Sequence, residues 1–157
     1  MQLALVEYAR QILGLEDANS SEFQADTKHP VIHLMDSQTK VTSKGATMRL
    51  GEYPCLLKAE TKVQKAYGRK TISERHRHRF EFNNDYREQF EMNGVVFSGV
   101  YQEENLVEII ELKDHVWFVG CQFHPELKSR PMEAHPLFNQ LVKVAVERKS
   151  RNSGSIG

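Results

Sequence analysis

An excess of charge of one sign is missing from this chain: its 21 lysines and arginines are matched by 21 aspartates and glutamates. That balance gives no reason to expect a nucleic-acid or membrane-surface partner. Long apolar runs are missing as well. None is long enough to span a bilayer, and the N-terminus carries no signal-peptide pattern. Cysteine is scarce. Cys55 and Cys121 sit among apolar residues without paired or metal-type spacing. They read as buried thiols of a reducing compartment rather than as a disulfide. There are no internal repeats, and 157 residues support one core but are too few to expect two. A single cytoplasmic globular domain is the expectation.

What is present is a mixture of strand-like and helix-like segments. Residues 1–13 predict a helix, with Leu5, Ala9 and Ile12 on one stripe and most other positions also apolar. Such a helix is normally buried inside a larger structure. It has no Ser, Thr, Asp or Asn to cap its orphan N–H groups, and a chain cut just before Met1 explains both features. An acidic, Ser-rich loop at 16–22 precedes a strand at 31–35 and a polar connector through 43–45. An extended segment then opens at Thr47 and reaches Leu57. Residues 62–67 predict a short helix closed by Gly68, residues 72–82 one alternating strand, and residues 85–91 a helix before the Asn93-Gly94 turn. Residues 95–101 and 106–112 predict a hairpin around Gln102-Glu103-Glu104-Asn105. Residues 116–123 follow as a short strand buried on both faces. A final amphipathic helix runs from about Pro136 to Arg148, with Leu137, Leu141 and Val144 at helical spacing. The tail at 149–157 has almost no core residues and is expected to be disordered. This mixture indicates an α/β domain with an added antiparallel portion.

Two constellations carry chemistry. The first is His124-Pro125-Glu126, where the apolar strand ends. In an extended chain His124 and Glu126 project from the same side, and Pro125 stiffens their spacing. Together they make two thirds of a nucleophilic triad, a base and its orienting acid. The plainer reading is that His124 caps a strand and Glu126 begins a surface turn. The second is the stretch from Glu74 to Phe82, Glu-Arg-His-Arg-His-Arg-Phe-Glu-Phe. As one strand it places His76, His78, Phe80 and Phe82 on one face, with Arg75, Arg77, Arg79 and Glu81 on the other. Three guanidinium groups on one face suit the carboxylate of a small substrate, which Arg grips with two parallel hydrogen bonds. They equally suit structural acids. A His-X-His pair without a third ligand is weak evidence for a metal, and the basic stretch is too local for nucleic acid. No nucleophile stands out. Cys121 should face away from His124 with a raised pKa, Cys55 lacks a tight Gly-rich turn, and Ser73 has no activation.

Taken together, these segments resemble the glutamine amidotransferase domain of CTP synthases, within the class I (Cys-His-Glu) amidotransferases. The resemblance runs from Met1 to about Val146. The His124-Pro125-Glu126 turn is shared across class I. Asp17-Ala18-Asn19-Ser20 before Glu22-Phe23, Thr47-Met48-Arg49-Leu50-Gly51, Glu74 to Arg79, and Ser129-Arg130-Pro131 before His135-Pro136 point to CTP synthases. The resemblance implies a flavodoxin-like, mainly parallel sheet with added antiparallel strands, lacking its N-terminal strands. It implies His124 as general base and Glu126 as its orienting acid. It places Gln2, Glu22 and Arg79 at glutamine-binding positions, with Arg79 for the α-carboxylate and Glu22 for the α-ammonium. Met1-Gln2 matches the end of the Gly-X-Cys-Leu-Gly-Met-Gln elbow, so the nucleophilic cysteine is expected just before this chain and the chain alone is expected to be inactive. No metal or cofactor is expected here. An N-terminal synthetase domain using ATP and Mg2+ to aminate UTP, GTP as allosteric activator, and a homotetrameric parent follow from the same resemblance. The other reading is a noncatalytic class I homologue acting as a binding or regulatory module.

Overall fold

The computed structural model describes residues 1–34 and 48–153. Helix α1 (Gln2–Gln11) buries Leu5, Val6 and Ala9, spaced to line one face. Ile12, expected on that stripe, lies beyond the helix and is exposed. Met1 occupies the N-cap without a side-chain bond, as its residue type dictates. Behind α1 stands a small sheet of β1 (Ala18–Ser20), β2 (His29–His33) and β5 (Glu81–Phe82). β1 and β2 run parallel, and β5 joins β2 antiparallel. Of the segments expected at 31–35 and from Thr47, the ends at Met35 and Thr47 and the connector at 43–45 lie outside the described residues.

The larger sheet has the order β4-β3-β6-β7-β8 and is antiparallel throughout. Its strands are β3 (Arg49–Leu57), β4 (Thr71–His78), β6 (Val95–Tyr101), β7 (Leu106–Leu112) and β8 (Val119–Cys121). The expected α/β class therefore holds, but the added antiparallel portion dominates the described strands and one parallel pair represents the rest. The β6–β7 hairpin falls where the sequence puts it, its turn closed by Asn105 at φ 53°. At Gly99 the register shifts, and a Cβ there would sit 2.6 Å from Ile109 and 2.8 Å from the Cys55 sulfur. Helix α2 (Lys62–Tyr67) is also as read: Thr61 accepts from the Gln64 N–H, and Gly68 closes the helix at φ 64°. Its first N–H groups, from Lys62 and Val63, meet the buried carboxylate of Glu111 at 3.0 and 2.9 Å. A 3₁₀ turn at Asn84–Tyr86 leads into helix α3 (Arg87–Met92), completing the helix expected there.

Three expectations fail for identifiable reasons. The strand read as running from Ile72 to Phe82 breaks in two, because β3 begins at Arg49, opposite His78, and among the described residues offers no partner beyond. Residues 81–82 pair with β2 instead. The strand buried on both faces is β7, not the 116–123 run: Ile109 packs into one core cluster and Ile110 into the other. Among the described residues β8 has a single partner strand, and it stays half-buried, with Val116 exposed. Lastly, α4 (Pro136–Ser153) continues past Arg148 into the stretch expected to be a disordered tail; residues 154–157 lie outside the described ones. Of its expected core face Leu137 is buried, whereas Leu141 is half exposed.

Candidate active site

β8 leads through Gln122 and Phe123 to His124, and a 3₁₀ turn at Pro125–Leu127 takes over where an extended chain was expected. The pairing survives the change of backbone. His124 Nδ1 lies 2.7 Å from Glu126 Oε1, and the His124 N–H donates to the Arg75 carbonyl of β4 at 2.9 Å. The bond to His124 holds the Glu126 carboxyl below its usual range, so Glu126 is an acceptor and Nδ1 carries the proton. That leaves Nε2 of His124 with a lone pair. The imidazole is about one third exposed, open to a reactant.

The start of α1 lies against this strand. Gly120 makes the approach possible, since a Cβ there would come within 3.2 Å of the Met1 Cα. The next residue, Gln2, borders a cavity of about 380 Å³ that Glu22, Arg77 and Arg79 also line. Three residues far apart in sequence, Gln2, Glu22 and Arg79, thus converge on one space. Of the arginine face expected from the sequence, Arg77 and Arg79 both border this cavity, and Arg75 does not.

Beneath the cavity is a buried polar network. Arg49 stacks on the rings of Tyr53 and Tyr101 at 4.4 and 5.0 Å. Its Nη1 meets Glu108 Oε1 at 2.7 Å and Glu81 Oε1 at 3.1 Å. His78 Nε2 reaches the same Glu81 oxygen at 2.7 Å. Glu81, expected on the arginine face, is therefore on the histidine side, because residues 81–82 no longer continue β4 but pair with β2. Glu108 also supplies the third ligand-type group that a His-X-His reading lacked: it lies with His76 and His78, their ligand atoms within 4.8 Å of one another. The cation it meets is the Arg49 guanidinium. Burial foremost, and Arg49 next, hold His76 down to about 3, a neutral imidazole. The same burial pushes Glu108 up to about 7, since Arg49 is shared with Glu81.

The thiols are as inert as their setting suggests. Burial pushes Cys121 up to about 12 and Cys55 higher still. The Cys121 residue is half-buried rather than buried, and its thiol donates to the Phe123 carbonyl at 3.4 Å. Ser73, on the exposed side of β4, donates to Glu52.

The model of glutamine amidotransferase class I matches residues 1–144. The chain belongs to the class I glutamine amidotransferase family. Among its relatives, CTP synthase of Geotalea uraniireducens (strain Rf4) is 58% identical over 146 residues, 93% of this chain and 27% of that protein. CTP synthase of Aquifex aeolicus (strain VF5) is 53% identical over 151 residues, 96% of this chain and 28% of that protein. The glutaminase domain of Trypanosoma brucei CTPS, solved with bound acivicin, superposes with a TM-score of 0.87 at 33% identity. That match covers 94% of this chain and 57% of the other. The chain spans between one quarter and one third of the curated CTP synthases named above.

Of the residues named from the sequence, the structure pairs His124 with Glu126 and brings Gln2, Glu22 and Arg79 to one cavity. Sequence reading missed Arg49, Glu81, Glu108 and Gln122 as site-supporting residues. A signal existed for two of them: Glu108 interrupts an apolar strand, and Gln122 interrupts an apolar run. Both are buried because each has a polar partner brought from elsewhere in the chain.

Proposed function

We propose that this chain is the glutamine amidotransferase part of a CTP synthase, releasing ammonia from the side chain of glutamine. The observation that carries the reading is the convergence of Gln2, Glu22 and Arg79 on one cavity. The acivicin in the Trypanosoma brucei glutaminase domain is a small ligand of a similar fold. In the proposed cycle Arg79 grips the α-carboxylate through its guanidinium fork, and Glu22 meets the α-ammonium. His124 Nε2 takes the proton of a cysteine thiol supplied from outside these 157 residues. The thiolate attacks the amide carbon, and the imidazolium returns the proton to the leaving ammonia. Glu126 holds the ring through Nδ1–H and favours the imidazolium.

The ammonia is then used by a synthetase segment that activates UTP with ATP and Mg2+, with GTP as activator, in a cytoplasmic homotetramer. No residue of this chain is assigned to those ligands. The test compares glutamine with free ammonia in the full gene product. His124→Ala is expected to abolish CTP formation from glutamine and to leave formation from ammonia intact. Equal loss of both, or loss of neither, rejects the assignment. The 157-residue polypeptide alone is expected to hydrolyse no glutamine, and turnover would show that it carries its own nucleophile.

A further inference from the structure

Gln2 touches the cavity, but its amide is held from behind. Its Nε2 donates to the Phe80 carbonyl at 2.8 Å and to Gln122 Oε1 at 3.1 Å. Gln122 Nε2 in turn donates to the same Phe80 carbonyl at 3.2 Å and to Glu81 Oε2 at 2.9 Å. An amide looks much the same either way round, so its direction is set by what it meets. Here the direction is set twice. A backbone carbonyl can only accept, and so can the Glu81 carboxylate, whose other oxygen is held by Arg49 and His78. Gln122 must therefore turn its NH2 toward Glu81 and its oxygen toward Gln2. Gln2 must turn its NH2 inward. Its Oε1 takes no hydrogen bond among the described residues.

We propose that Glu81 and Gln122 are positioning residues that fix the Gln2 amide with its oxygen ready to accept from an N–H of the bound ligand. The relay makes Gln2 select for a ligand that donates at that point, an ammonium or a carboxamide, over one that presents a carboxylate oxygen. Acting through Gln2, it stabilises ligand by presenting one acceptor without the cost of reorienting it on binding. Glu81 and Gln122 are both buried, so a flip of the Gln122 amide that leaves its partners unsatisfied is costly.

The proposal rests on the glutamine reading of the cavity, and two measurements separate their failures. The first needs no ligand. In 15N spectra of the full gene product the Gln2 side-chain NH2 is expected to exchange slowly with solvent, and Gln122→Met, of similar volume, is expected to release it. The second is calorimetric titration with L-glutamine across a double-mutant cycle of Gln2→Ala and Gln122→Met. Gln122→Met is expected to weaken binding about tenfold, the scale of one hydrogen bond. Added to Gln2→Ala, it is expected to change affinity less than about twofold, because its effect passes through Gln2. If Gln122→Met does not fold, the isosteric Glu81→Gln carries the same cycle, since its amide no longer dictates the direction of Gln122. Slow exchange unchanged in the variants, or affinity losses that multiply in full, would overturn the relay. A relay intact by exchange in a protein that takes no glutamine would refute the glutamine reading instead.

Discussion

His124 commits one ring nitrogen to Glu126 and keeps the other, so a two-residue spacing suffices to orient the imidazole. Other titratable residues sit where water is absent, and Glu108 is the one to test. Its carboxyl rises from an ordinary 4.5 to about 7, with burial as the first cause. Between those values the folded chain keeps a proton that the unfolded chain has released. The sign follows: this group's contribution is complete below about 4.5 and is lost as pH rises through about 7. His76, held down to about 3, pulls the other way over pH 3 to 6.5, so the contribution must be isolated by difference. Thermal unfolding of the chain and of Glu108→Gln is expected to show wild type losing ground to the variant as pH climbs from 4.5 to 7. A difference that stays flat across that window would contradict a raised Glu108.

At the scale of elements, packing decides which glycines are irreplaceable. Gly99 lets β6 lie against Ile109 and Cys55, and a methyl there has nowhere to go without moving two buried side chains. Gly99→Ala is expected to cost about 1–3 kcal/mol in denaturant unfolding, the usual penalty for overpacking. A loss within error would mean that the bulge relaxes freely. The same scale explains what could be read in advance. The β6–β7 hairpin and α2 were legible because their punctuation is local: a turn of polar residues, Thr61 ahead, Gly68 behind. The break after His78 was not legible, because it depends on where β3 starts, and the alternating pattern of residues 72–82 carries no trace of that. The His124–Glu126 pair was legible for the first reason, its members being two residues apart. Arg49, Glu81 and Glu108 were not, because a buried ion network exists only between segments, here 32 and 59 residues apart.

Across the whole molecule the surface is uneven. Helix α4 keeps Leu137 inside, where His135 caps the helix by accepting the Leu137 N–H. Beyond that turn, Phe138, Val142 and Val146 recur every four residues with Leu141 beside them, all exposed. β8 adds a strand edge among the described residues. The 157-residue chain is expected to self-associate through this apolar stripe, and Val142→Glu with Val146→Glu is expected to suppress it in light scattering. A monodisperse wild-type monomer at high concentration would count against that surface. No helix among the described residues is long and apolar enough to cross a membrane. The bonds joining Gln2 to Phe80 and Gln122 carry one further consequence, in time rather than in space. They close loops of 78 and 120 residues, the latter more than three quarters of the chain. Contacts so distant come at the end of a search that local turns and hairpins begin. In refolding, the cavity beside Gln2 is expected to be the last thing to mature, lagging behind the recovery of helix and strand.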